Sequence, residues 1–153
     1  MDETYIKVKG RWTYLYRAID KCGETIGFML SERRDEAAAT AFFTKAIARN
    51  SWPEKVVIDK SESNAAGLFN MNCQLVMNNW CWLIDVLQVK YLNNIIEQDH
   101  RFIKKITRPM QTFKSFNSAA ATLAGIEVAH MIRKGQFQRP GLSGFEQFAA
   151  LAE

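Results

Sequence analysis

The sequence predicts an α/β domain in which helices flank a mixed sheet, and three observations carry that prediction. Short alternating segments separated by turn residues fill the first 30 positions. A continuous β-branched run then follows an Ala-rich amphipathic stretch, and much of the last third has helical period. At 153 residues the chain has the size of one domain with a sizeable core.

Thr4, Ile6 and Val8 alternate with Tyr5 and Lys7 as in a half-buried strand, and Asp2 has the parity of the Thr4 face. Lys9-Gly10 turns the chain into residues 11–20, and Lys21-Cys22-Gly23 turns it again into 24–30, which together make a three-stranded antiparallel meander. Residues 35–49 carry acids in the first turn and a base in the last, with Ala38, Phe42 and Ala46 on one face, so they form a helix. After the break at 50–53, Val56-Val57-Ile58 ends abruptly in Asp59, as expected of a parallel strand covered on both faces. Residues 60–83 give only a short helix through Ala65, Ala66, Leu68 and Phe69, capped by Ser61 or Ser63, and then no clear period. A buried strand over 84–89 and a helix from Asn93 or Asn94 that ends before Pro109 follow. The helix over 117–134 is the clearest, with Asn117 as cap, Ala120, Leu123, Ile126 and Met131 on an apolar stripe, and Gly135 at its end. The domain is expected to span 1–137, and a tail from 138 to 153 adds a short helix over 145–151.

Composition narrows the function classes. Hydrophobic residues make up 48% and charged residues 24%, the balance of a globular domain and not of a disordered one. No apolar run is long enough to span a bilayer, and MDETYIKVKG lacks the basic start and apolar middle of a secretory signal, so a cytoplasmic protein without a membrane partner is expected. Cys22, Cys73 and Cys81 make no CxxC pair and have no His at zinc-ligand spacing, which leaves them as reduced bystanders. Residues 1–100 hold 12 Lys and Arg against 13 Asp and Glu, whereas residues 101–153 hold 8 against 3, so the basic excess is C-terminal and suits phosphates.

Three acids stand out. Asp59 closes a parallel strand at its carboxyl end, the edge where α/β sheets bind ligands. Asp2 opens the first strand. Glu97 shares a helix face with Arg101 and Lys104, so one stripe offers a carboxylate to a hard cation and cations to phosphates. Such a set fits phosphoryl transfer without histidine or cysteine ligands. Taken singly, each acid has a plainer role as a terminal residue, a cap or a solvated charge. Asp20 is read as a turn residue and His130 as structural. His100 is open between a structural role and contact with a substrate, and Trp12, Trp52, Trp80 and Trp82 are open between sheet packing and stacking on unpaired bases.

The combination of DET at a strand start, IDK around Asp59, YLNNIIEQDHRFIKK and FKSFNSAAATLAGIEVAHMIRKGQF closely resembles the transposase family typified by insertion sequence six, over most of residues 1–137. The resemblance implies a ribonuclease H-like fold with a five-stranded mixed sheet, in which the first and fourth strands are neighbours. It also implies a DDE triad of Asp2, Asp59 and Glu97 that binds Mg2+ or Mn2+, two ions when DNA is present. Lys104 takes the accompanying basic position. Beside it, the residues themselves offer Arg101 and Lys105 as contacts to DNA phosphates, and His100 as a DNA contact if it is not structural. The activity implied is cleavage at the 3′ ends of an insertion sequence and strand transfer into target double-stranded DNA, by a homo-oligomer associated with the nucleoid. Two departures bear on this. Thirty-seven residues separate Asp59 from Glu97, a few more than the family pattern leads us to expect. Family members also carry a helix-turn-helix region ahead of DET, so a piece of a longer protein or the product of a truncated or decayed frame is expected. The alternative function is a remnant without catalysis that only binds DNA or dimerises.

Overall fold

The computed structural model describes residues 1–137 and 141–151. The meander forms as expected, with β1 Asp2–Val8, β2 Arg11–Ile19 and β3 Thr25–Ser31 antiparallel in that order. At its turns Gly10 and Gly23 take φ of 77° and 84°, a region that side chains disfavour. Helix α1 Glu36–Asn50 is capped by Asp35, whose side chain accepts the Ala38 N–H. It leads to β4 Lys55–Ile58, which pairs in parallel with β5 Asp85–Gln88. The five strands thus run as two ladders. They meet where the Met1 amine donates to the Val57 carbonyl at 2.8 Å, which sets the end of β4 beside the start of β1.

Alternation along β1 and β2 divides the core in two. Ile6, Val8 and Leu15 pack with Ile103, Ala119 and Leu123 on one face, against α3 Asn94–Thr107 and α4 Phe116–Arg133. Met1 and Tyr16 pack on the other face with Phe42, Phe43, Leu68, Met71 and Leu75 of α1 and α2. Residues 60–83 depart furthest from expectation, since α2 is a single helix of 16 residues, Glu62–Met77. Its buried stripe includes Asn64 and Gly67 among Leu68, Met71 and Leu75, so a polar residue and a glycine hide the apolar period. Gly67 is required by a close crossing, because a Cβ there would stand 2.8 Å from the Ala39 Cβ of α1.

Two details of α4 also differ from expectation. Ser115, and not Asn117, is the cap, and its extended backbone lets the hydroxyl accept the Ser118 N–H at 3.1 Å. The buried stripe is Ala119, Leu123, Glu127 and His130, so charged and polar side chains replace Ile126 and Met131 in it. Gly135 ends the helix as predicted, with Gly135 and Gln136 N–H groups returning to the Ile132 and Met131 carbonyls. The tail forms α5 Gly144–Ala149, with Ser143 and Glu146 in a capping box. The expected boundary at 137/138 falls against 138–140, outside the described residues. The three cysteines are free, and no helix among the described residues is long and apolar enough to cross a membrane.

Candidate active site

Strand β4 delivers Asp59 to the carboxyl end of the parallel pair, and β1 begins beside it with Asp2 and Glu3. Carboxylate oxygens of these three residues lie within 4.8 Å of one another. Each is held differently. Asp59 Oδ1 accepts the Ser61 N–H at 3.1 Å, so the residue also serves the local turn into α2, while Oδ2 faces Arg34 Nη2 at 3.8 Å. Asp2 Oδ1 accepts the Glu3 N–H at 2.8 Å, and Oδ2 lies 3.5 Å from His100 Nε2. Glu3 Oε1 pairs with Arg34 Nε at 3.3 Å, and its Oε2 is buried without a partner. Burial, reinforced by Asp59 and Asp2, raises the Glu3 carboxyl above its ordinary value against the pull of Arg34. Burial likewise lowers the Met1 amine to about 6, although Asp2, Asp59 and Glu3 oppose that shift.

Glu3 escaped the sequence reading because alternation assigns it to the face opposite Asp2. At the end of a strand its longer side chain reaches the same edge. Glu97 stands outside the cluster. Its side chain is exposed on α3 and makes no hydrogen bond or ion pair among the described residues. The helix itself is nevertheless anchored at the site, because His100, one turn after Glu97, is buried against Asp2. Arg101 and Lys105 are exposed, and Lys104 is half-buried.

The anchor is a buried polar cluster centred on Arg17, the cross-strand partner of Asp2, which no local pattern singles out. Arg17 is fully buried. Its Nε and Nη2 donate to the two Glu127 oxygens at 2.6 and 2.9 Å, Nη2 also meets Asp99 Oδ2 at 2.6 Å, and Nη1 lies 3.2 Å from His100 Nδ1. Arginine has no acceptor, so His100 Nδ1 must accept, which leaves the ring proton on Nε2, a buried atom 3.5 Å from Asp2 Oδ2 that makes no hydrogen bond among the described residues. Asp99 Oδ1 takes His130 Nε2 at 2.8 Å and Lys134 Nζ at 2.7 Å. His130 is therefore structural, as expected, and stacks on Phe102 at 3.9 Å. Asp20 accepts the Cys22 and Glu24 N–H groups at 2.8 Å each, the turn role anticipated for it.

The donor set fits a hard divalent cation. Three carboxylates converge, one buried oxygen has no partner, and oxygen ligands alone satisfy Mg2+ or Mn2+. A family model described as a DDE domain matches residues 1–136. The chain belongs to the transposase family typified by insertion sequence six. It is 39% identical over 146 residues to the transposase for insertion sequence-like element IS431mec of Staphylococcus aureus strain Mu50 / ATCC 700699. The transposase for insertion sequence element IS257 in transposon Tn4003 of Staphylococcus aureus matches to the same extent. These alignments cover 95% of this chain and 62% of each relative, so the chain spans about 62% of the length of the curated relatives it matches. A chain of the cryo-EM structure of the simian T-cell lymphotropic virus intasome in complex with PP2A regulatory subunit B56 gamma is 15% identical, with a TM-score of 0.54 over 97% of this chain and 44% of that one. The transposase domain accordingly has a ribonuclease H-like fold.

Proposed function

We propose that this domain carries out metal-dependent cleavage at the 3′ ends of an insertion sequence and joins those ends to target DNA. The observation that carries the reading is the convergence of Asp2 and Asp59, remote in sequence, at the carboxyl end of β4. Asp2 and Asp59 would hold Mg2+ or Mn2+, and Glu97 would complete the set from α3 when DNA is bound. Glu3 lies near enough to the two aspartates to contribute a further oxygen. Two bound cations would supply the charge that stabilises the attacking and leaving oxygens of an in-line displacement. The chain's own groups orient the ligands: the Glu3 N–H holds the Asp2 carboxylate, with His100 Nε2 packed 3.5 Å from it, and the Ser61 N–H fixes that of Asp59. Arg101, Lys104 and Lys105 hold backbone phosphates without reading sequence. Water attacks the phosphodiester at the element's end and frees a 3′-hydroxyl, which then attacks a target phosphodiester and expels a new 3′-hydroxyl. A second copy of the chain is the expected partner in bringing two ends together.

A second reading, DNA binding without catalysis, is favoured by the position of Glu97 outside the acid cluster. Nicking of supercoiled plasmid separates the two. Wild-type protein is expected to nick with Mg2+ or Mn2+, and Asp59→Asn is expected to lose at least about a hundredfold, since ligand charge is worth several kcal/mol in the transition state. Equal activity of the two proteins removes the catalytic assignment.

A further inference from the structure

A cleft of about 400 Å³ lies at the far half of β1, away from the acid cluster. Tyr5, Lys7 and Trp12 on the outer face of the first hairpin line one side, and Lys104, Arg108 and Phe113 at and beyond the end of α3 line the other. The chain closes the cleft by returning to the edge of β1, where the Phe113 N–H donates to the Lys7 carbonyl at 2.9 Å and the Lys9 N–H to the Phe113 carbonyl at 2.8 Å. Its volume suits one small organic group.

Charge and shape select the occupant. Lys7, Lys104 and Arg108 line the cleft, and among the described residues no carboxylate does, so the ligand is anionic. Trp12 and Tyr5 are 59% and 50% exposed, so two neighbouring aromatic rings are open to a flat partner. Their rings meet edge to face at 6.2 Å, and Lys7 Nζ lies over the Trp12 ring at 5.7 Å from its centre, a cation on the indole face that a stacking base would displace towards its own phosphate. A nucleotide is both planar and anionic, and beside a DNA-processing site it is the ligand of that kind at hand. The backbone of paired DNA would use the cations and leave Trp12 in water, whereas an unpaired base can lie on the indole.

Position ties the cleft to the acids. Arg34 Nη1 reaches the Tyr5 hydroxyl at 3.4 Å, while its Nε and Nη2 face Glu3 at 3.3 Å and Asp59 at 3.8 Å. One guanidinium therefore joins the cleft wall to the acid cluster. Along β1, Lys7 stands roughly 17 Å from Asp2 at strand rise, a few nucleotides of an extended strand. We propose that the cleft takes one unpaired nucleotide of the DNA strand held at the acid cluster, with its base stacked on Trp12 and its phosphate between Lys7, Lys104 and Arg108. The proposal rests on the acid cluster being a DNA site, and it makes local unpairing near the reacting phosphate a property of the substrate.

The test is equilibrium binding by the full chain in EDTA, so that it is independent of cleavage. Three fluorescein-labelled duplexes serve as probes: one with a single-stranded thymidine tail, one with an abasic tail of equal length, and one blunt. Wild-type protein is expected to bind the thymidine tail roughly tenfold more tightly than the abasic tail, the effect of one stacked base, with quenching of tryptophan emission. Trp12→Ala should erase that preference with an unchanged circular dichroism spectrum, and Trp12→Phe should retain part of it. Trp80→Ala, remote from the cleft, should keep all of it. Equal binding of the three duplexes, no binding of any, or a full thymidine preference in Trp12→Ala would each overturn the proposal. Plasmid nicking lost in Asp59→Asn without a thymidine preference sinks the cleft alone. A thymidine preference without metal-dependent nicking sinks the catalytic reading and leaves the cleft standing.

Discussion

The charge of Asp99 holds three helix and strand partners together. Burial alone would raise its carboxyl, but hydrogen bonds from Lys134, His130 and Arg17 outweigh burial and hold it down at about 2. A value below the ordinary 3.8 means that the folded state favours the charged form. The stability it contributes is therefore complete above about pH 4 and is lost as the pH falls towards 2. Asp99→Asn is expected to cost roughly 2 kcal/mol at pH 7, and the deficit should shrink as the pH is lowered through that window. Urea unfolding of both proteins at pH 7 and pH 3 checks this, and a deficit that does not shrink at the lower pH would refute it. Neither Asp99 nor Arg17 was legible as special in the sequence. Their partners come from β2, α3 and α4, and no local spacing encodes a contact across more than 80 residues. Asp2 and Asp59 were singled out by the joint motif that carries the family resemblance, since each alone reads as a terminal residue or a cap.

Arg17 ties elements together, and its effect belongs at that scale. Its guanidinium is where β2, α3 and α4 meet on the face that carries Asp2. Arg17→Met would strand the fully buried Glu127 without its counter-charge, while Asp99 keeps Lys134 and His130, at an expected cost of about 3–5 kcal/mol. Arg17→Met with Glu127→Gln should recover part of that loss, since the stranded charge at position 127 is gone. Thermal denaturation of the two variants decides the matter, and a double variant less stable than the single one would contradict it. Element existence was readable wherever one period dominated, as in β1 to β3, α1 and α4. It failed in α2, where Asn64 and Gly67 occupy buried positions, because packing against Ala39 rewards the absence of a side chain and an apolar period cannot show that.

Across the whole molecule the charge asymmetry becomes an expected affinity. Each phosphate neutralised by Lys or Arg steepens the fall of binding with salt by about one in a log–log plot. Replacing Arg101, Lys104 and Lys105 together with Ala should therefore reduce the slope for duplex DNA by up to about three. An unchanged slope would show that these side chains do not touch the backbone.

The sequence by itself determined the α/β class, the succession of five strands along the chain and the family, and it proposed the two aspartates. These follow from periodicity, turn residues and short motifs, which are properties of neighbours along the chain. Tertiary structure alone decided that the end of β4 lies beside Met1 and that Glu3 joins Asp2 and Asp59. It alone seated His100 on Asp2 through a buried arginine, and left Glu97 exposed on the same helix. Those outcomes depend on which side chains meet across a packed interior, where burial without a partner is costly and each charge must find its opposite.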